Sequence, residues 1–308
     1  MTLQVGDGRS GAPPAVLLDC GEGTWPAMCS RMGPGAAQAC VDALAAVWVS
    51  HKHGDHCLGL PAVIARRSPQ RPPLTAALPA AVWQWLSGGY AYLLDRVKYV
   101  HCSQFHRRAT GERLVGGRDK GKGRGFASAM VGAGFAAWQC VRVRHCFDAY
   151  GIVLQHVAGW KVVVSGDTTP CDELVQAGMG ATVLVHEATF SCDRMGDAVA
   201  KRHSTVGQAL EVAQRMGAWR VMLTHFSQRY SKYAPNLLDF DVAHGSGGTV
   251  IDRAFPCFDG TFIRFCDVWV LPALTRLLSE FFTEAAERSA EEELTVQHWK
   301  GSEYHLHT

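Results

Sequence analysis

An α/β fold with a metal site at the ends of its strands is what this sequence predicts, and three observations predict it. Runs that read as strands end near positions 49, 145, 164, 185 and 223, and each hands a histidine or a carboxylate to the loop that follows. Stretches with helical periodicity fall between those runs, so strands and helices alternate along the chain. The composition, 47% hydrophobic and 19% charged over 308 residues, is that of a globular protein able to bury a large core. Ligands gathered at strand ends describe a sheet-based site beneath helices.

Taken in order, positions 1–14 are rich in Gly, Pro and polar residues and are expected to form a flexible N-terminus. Ala15 to Leu18 reads as a short strand running into Asp19-Cys20-Gly21-Glu22-Gly23-Thr24. Glycines there permit positive φ, and Thr24 can cap a helix that follows. Asp19, at the strand end, suits an acceptor that fixes the tautomer of a ligand histidine. Ala43 to Val49 is an apolar run that reads as a buried strand, followed by Ser50-His51-Lys52-His53-Gly54-Asp55-His56. His51 and His53 suit one metal ion, while Asp55 and His56 can reach a second about 3.5–4 Å away. Imidazole with carboxylate is a donor set for zinc, with manganese or iron open.

Leu58 to Arg67 reads as a helix, Leu74 to Leu78 as a strand, and Ala81 to Leu86 as a helix ended by Gly88-Gly89. Positions 107–125 form a basic Gly-rich loop in which Arg107, Arg108, Arg113, Arg118, Lys120, Lys122 and Arg124 face only Glu112 and Asp119. Such a loop suits contact with a phosphate backbone, and a solvated linker accounts for it equally well. Gln139 to His145 alternates like a strand. Gly151 to Val157 and Trp160 to Val164 read as a hairpin whose second arm ends in Ser165-Gly166-Asp167-Thr168. A helix follows over 170–178, with Pro170 in its first turn and Gly178 at its end. Ala181 to Val185 is the next strand and ends in His186-Glu187-Ala188-Thr189. Ser204 or Thr205 caps a helix through Met216, and Trp219 to Leu223 is a strand ending in Thr224-His225-Phe226-Ser227-Gln228-Arg229-Tyr230. Thr261 to Phe265 reads as an edge strand. Positions 271–308, with six glutamates and one arginine from Glu280 to Glu293, are expected to be an acidic helical or disordered tail.

No stretch approaches 18 uninterrupted apolar residues, so no membrane span is expected. Met1 to Gly8 lacks both a basic and an apolar leader region, which argues against secretion. Eleven cysteines without a short-chain disulfide spacing fit free thiols in a reducing, intracellular compartment.

Together these motifs resemble the metallo-β-lactamase superfamily, and within it the tRNase Z family of tRNA 3′-processing endoribonucleases. Ser50–His56 matches the superfamily's His-x-His-x-Asp-His motif. Leu17–Gly23, Ser165–Thr168, His186–Thr189, His203-Ser204-Thr205 and His225–Tyr230 narrow the likeness to this RNase branch, over about Ala15 to Pro235. Only 22 positions separate His145 from Asp167, too few for the tRNA-gripping arm that short family members insert there. The chain thus resembles the catalytic C-terminal half of the long form, without the arm-bearing N-terminal half, the Gly-rich first strand and the Pro-x-Lys-x-Arg-Asn loop that helps discriminate against CCA ends. The resemblance implies an αβ/βα sandwich, incomplete at its N-terminus, over 15–270.

It implies too that two Zn²⁺ ions, or Mn²⁺, are held by His51, His53 and His145 on one side and Asp55, His56 and His225 on the other, with Asp167 bridging. Asp55 would also orient the attacking water. His203, paired with Glu187, would protonate the departing oxygen, and Arg229 would touch phosphate or pack against a neighbour. Precursor tRNA is the implied partner, with a second copy or a separately encoded arm-bearing half as further partners. Nucleus and/or mitochondrion is the implied compartment, with the cytoplasm left open. Two other readings stand beside this one. The first is a general phosphodiesterase or glyoxalase-II-like thioesterase, and the second is a non-catalytic RNA-binding subunit or truncated gene product.

Overall fold

The computed structural model describes residues 1–4, 14–104, 106–107, 124–227, 253–275 and 277–278. Strands β1 (Thr2–Gln4) and β2 (Ala15–Leu18) lead into helices α1 (Thr24–Met32) and α2 (Pro34–Asp42) and strand β3 (Leu44–Trp48). The short α3 (Gly54–Cys57), α4 (Leu60–Arg66), β4 (Leu74–Leu78), α5 (Ala80–Gly89), β5 (Val97–His101) and β6 (His106–Arg107) follow. The second half continues with α6 (Arg124–Gly132), β7 (Phe135–Arg142), β8 (Tyr150–His156), β9 (Lys161–Val164) and α7 (Asp172–Gly178). It closes with β10 (Val183–Glu187), α8 (Met195–Lys201), α9 (Val206–Met216), β11 (Arg220–Thr224) and β12 (Ala254–Pro256).

Two sheets result. One has the order β1-β2-β3-β4-β5, parallel except for β1, and the other the order β12-β11-β10-β9-β8-β7-β6. In the second sheet β9 to β12 run parallel and β6 to β9 antiparallel. Alternation along the strands explains the layering. Val16, Leu18, Ala46 and Trp48 point to the face that meets Trp138, Ile152 and Leu154 of the other sheet. Leu17 and Val47 point the opposite way, onto Val41, Leu60 and Ile64 of the helices. Behind the second sheet, Val163, Leu184 and Val221 pack on Leu174 of α7 and on Leu210 and Ala213 of α9. The architecture is therefore an αβ/βα sandwich, as the sequence implied.

Local chemistry explains the ends that matter. Thr205 caps α9 by accepting from the Gln208 amide, and the Gln208 side chain accepts from the Thr205 amide, a reciprocal capping box. α7 begins two residues after Pro170, with Cys171 as its cap and Asp172 and Glu173 in its first turn. Gly21 is required by close approach, since a side chain there would run into the Asp55 carbonyl. Gly23, at φ 78°, is the position that needs the left-handed region, and it, not Thr24, caps α1.

Three expectations change. Thr2–Gln4 form a strand on β2 where a loose start was expected, because β2 otherwise leaves an open edge. Thr261–Phe265 is not a strand: the Thr261 amide donates to Phe258 O in a turn with Gly260 at φ 83°. The strand that extends this edge is β12, parallel to β11. Packing also continues past position 270, since Leu271 is buried against Val268 and Phe255, and Thr275 donates to Ala254 O at 2.6 Å. Arg108, Arg118, Lys120, Lys122 and Arg229 lie outside the described residues, whereas Arg107 ends β6 and Arg124 begins α6.

Arg67 ties the first helical layer to its sheet. Its buried guanidinium donates from Nη1 to Val41 O (3.1 Å) and Leu44 O (2.8 Å), and from Nε to Pro72 O (3.3 Å). Arg67→Met would remove these donors, although Val41 O keeps the Ala43 amide, and each carbonyl left buried and orphaned costs about 1–3 kcal/mol. The expected loss is roughly 2–5 kcal/mol, read as a fall in the urea midpoint at an unchanged slope; an unchanged midpoint would refute it.

Candidate metal centre

The site lies where strand ends of the two sheets face each other. β3 hands over Ser50 and His51, and the turn into α3 presents His53, Asp55 and His56. The segment after β7 brings His145, the β9 end Asp167, β10 Glu187, and the β11 end His225. β10 runs two residues beyond the expected strand end, so Glu187 lies inside the sheet and is buried. His225 itself sits at φ 61° and Asp19 at φ 60°. Such left-handed backbone in non-glycine residues is uncommon and collects at functional sites.

Two donor groups form. Ligand atoms of His51, His53, His145 and Asp167 lie within 4.8 Å of one another, as do those of Asp55, His56 and His225. Asp167 Oδ2 stands between them, 3.5 Å from His51 Nε2, 3.3 Å from His56 Nε2, 3.8 Å from His145 Nε2 and 3.6 Å from His225 Nε2. All seven donors named from the sequence are thus brought together.

The outer ring of hydrogen bonds decides which nitrogen each histidine offers. His145 Nδ1–H donates to Arg202 O at 2.8 Å and His56 Nδ1–H to Asp19 Oδ2 at 2.8 Å. Ser50 Oγ–H donates to Asp19 Oδ2 and therefore accepts from His51 Nδ1–H at 3.0 Å. Thr189 Oγ1–H donates to Glu187 Oε2 and accepts from His225 Nδ1–H at 2.8 Å. All four rings thereby turn Nε2 toward the centre. His53 instead turns Nδ1 inward, 2.9 Å from His51 Nε2 and 3.1 Å from His145 Nε2.

Three imidazole nitrogens that converge this closely cannot all hydrogen-bond to each other. Zinc–nitrogen bonds of about 2.0–2.1 Å place tetrahedral ligand atoms about 3.3 Å apart, close to these separations. His56 Nε2 is buried without a hydrogen-bond partner among the described residues, although Asp55 and Asp167 oxygens each lie 3.3 Å away. That orphaned nitrogen between two carboxylates fits a cation. Burial also pushes the His51 imidazole down to about 3, so it is neutral, as a ligand must be. Burial opposes ionisation of Asp167, but the imidazoles of His56 and His225 outweigh it and hold the carboxyl below its ordinary range. The chemistry and spacing of the donors fit two metal ions.

Beside them His203 donates from Nδ1 to Glu187 Oε1 at 2.8 Å. Glu187 also accepts from the Thr168 amide (2.8 Å), the Ser204 amide (3.0 Å) and Thr189 Oγ1 (2.7 Å). One buried carboxylate therefore links the Asp167 loop, the His203 loop and, through Thr189, His225. Ser50, Thr189 and the Arg202 carbonyl are the site residues that sequence reasoning missed as actors. Ser50 and Thr189 stand inside the quoted motifs, but a backbone carbonyl leaves no trace in a sequence.

With the fold and donors in view, the chain can be placed. Residues 15–226 match the model of the beta-lactamase superfamily domain, and the chain belongs to that superfamily. Within it the likeness is to tRNase Z. The chain is 36% identical over 262 residues to "Zinc phosphodiesterase ELAC protein 2" of Homo sapiens, covering 79% of this chain and 30% of that protein. It is 30% identical over 320 residues to "tRNAse Z TRZ4, mitochondrial" of Arabidopsis thaliana, covering 87% and 33%. The chain thus spans about a third of the length of these relatives. A long-form RNase Z structure from yeast superposes with a TM-score of 0.70 at 24% identity, over 91% of this chain and 40% of that one. The human short form (ELAC1) superposes with a TM-score of 0.56 at 20% identity, over 86% and 98%. No helix among the described residues is long and apolar enough to cross a membrane.

Proposed function

We propose that this chain is the catalytic part of a zinc-dependent endoribonuclease that removes the 3′ trailer from precursor tRNA and leaves a 3′-hydroxyl on the tRNA. The observation that carries the reading is the His203–Glu187 pair, 2.8 Å apart, set against both metal-donor groups. The names of the relatives support it: they include a zinc phosphodiesterase and tRNases Z. His51, His53 and His145 would hold one zinc, Asp55, His56 and His225 the other, and Asp167 both. Bound there, the ions would acidify a water molecule and offset the charge that develops on phosphate.

The protein's own groups do the rest. Asp55, whose Oδ2 lies 3.2 Å from His225 Nε2 and which is open to solvent, is placed to orient the attacking water. His203 gives its Nδ1 proton to Glu187 in a hydrogen bond and turns the other nitrogen to the reacting phosphate. A proton delivered from it to the departing 3′ oxygen completes the cleavage. Glu187 acts through His203, holding the ring in one orientation. Nucleus and mitochondrion are the compartments that this reading favours, and either an arm-bearing half on another chain or a second copy would complete the tRNA grip.

Incubating zinc-loaded protein with precursor tRNA is expected to yield a tRNA trimmed to its mature 3′-hydroxyl end. A homogeneous preparation with two zinc ions per chain that leaves precursor tRNA intact, yet turns over a glutathione thioester, would replace this reading with the thioesterase one. A folded chain that takes up no zinc would support a binding role.

A further inference from the structure

Beside the His145 donor the chain forms a recess of about 330 Å³, lined among others by Arg142, Arg144, His145, Phe147 and Arg202. Phe147 is 82% exposed, an unusual place for a phenyl ring, and the Arg142 guanidinium lies 5.4 Å from its centroid. Arg142 and Arg144 are themselves exposed. Of the nearby acids, Asp148 is buried and engaged by Tyr150 OH and the Ala80 amide, while Glu173 stands 3.6 Å from Arg144. Three arginines thus rim the recess, facing the exposed Glu173 beside Arg144, while the neighbouring Asp172 is paired with Arg215.

The walls are rigid and tied to the metal centre. The Arg144 amide donates to Thr168 Oγ1, one residue past Asp167, and the Thr169 amide donates to Arg144 O. Arg202, at φ 57°, gives its carbonyl to His145 Nδ1 and its Nη1 to His145 O. Among the described residues the Phe147 ring meets the Arg142 guanidinium alone, and Arg202 engages only its Nη1, on His145 O. A flat apolar face flanked by guanidiniums is the arrangement that holds unpaired bases and their phosphates.

We propose that this recess seats one unpaired nucleotide next to the scissile phosphate, its base stacked on Phe147 and its phosphates paired with Arg144 and Arg202. The inference rests on the RNA-cleaving reading above and names where the single strand leaves the metal centre. The recess volume suits one nucleotide, and its border on His145 lets a strand with one phosphate at the donors lay its neighbour on the ring.

The test is a fluorescence titration of the full zinc-loaded chain with a short single-stranded RNA carrying 2-aminopurine, kept cold, with a gel to verify that the RNA stays intact. Wild type is expected to quench the 2-aminopurine through stacking. Phe147→Ala should lose the quench and bind about ten-fold or more weakly, the loss of one base–aromatic stack. Phe147→Trp should restore both, and Arg144→Gln should flatten the salt dependence by about one phosphate contact. With precursor tRNA, Phe147→Ala should raise KM more than it lowers kcat. Phe262, 81% exposed elsewhere, supplies the control, and Phe262→Ala should change none of these values. Undiminished quenching and affinity in Phe147→Ala at full zinc content would overturn the proposal and leave the recess as a surface for a protein partner. So would an equal loss in Phe262→Ala. Were wild type to stack the RNA but not cleave precursor tRNA, the function above would fail while the nucleotide seat stood.

Discussion

Asp167→Ala is expected to abolish cleavage and empty the metal centre together. Its Oδ2 lies 3.3–3.8 Å from four imidazole nitrogens drawn from both donor groups. Without it the two groups lose their shared anion, and four imidazole rings face each other across the gap. Zinc measured by mass spectrometry should fall from two ions per chain to one or none. Activity on precursor tRNA should drop by more than the ~10²–10⁴-fold typical of a lost general acid or base. Asp167→Asn keeps the shape and one oxygen donor but not the charge, and should retain more metal than the alanine variant. Two zinc ions and near-normal turnover in Asp167→Ala would end the bridging assignment. Asp55→Ala should lie close behind, because it removes a ligand and the group that orients the water.

His203→Ala should behave differently although it lies in the same pocket. The ring is held by Glu187 at 2.8 Å, stacks on His225 with centroids 5.5 Å apart, and lies tilted against His145 at 4.7 Å. If it only delivers a proton to the leaving group, both metals should stay, with a deficit of roughly 10²–10⁴-fold on precursor tRNA. The deficit should shrink on a nitrophenyl phosphodiester, whose leaving oxygen scarcely needs a proton. Equal deficits on the two substrates at full zinc occupancy would make His203 a positioning residue. His203 also shares a third donor cluster with Asp167 and His225, so loss of zinc on substitution would instead move it into the metal shell.

Much of the centre was legible in sequence because it is local. His51, His53, Asp55 and His56 need only a strand that stops at Trp48 and a turn into a short helix. The reciprocal cap of Thr205 and Gln208 is equally a matter of four consecutive positions. Strand ends near His145, Asp167, Glu187 and His225 were visible as apolar runs, each halted by a polar residue. Edges were less legible: β1 and β12 are three residues long, and what makes them strands is the open side of β2 and of β11, not their own pattern.

Convergence was decided by the tertiary structure alone. His53 and His145 meet across 92 positions and Asp55 and His225 across 170, which sheet order arranges and spacing does not. The tautomers, too, depend on partners delivered from elsewhere: Asp19 for His56, Thr189 for His225, and the Arg202 carbonyl for His145. A carbonyl belongs to every residue, so only the left-handed turn at Arg202 makes that one matter. Phe147 carries the same lesson. In the sequence it is one apolar residue after a strand, and only the fold buries Asp148 and Tyr150 while leaving the Phe147 ring in solvent beside three arginines.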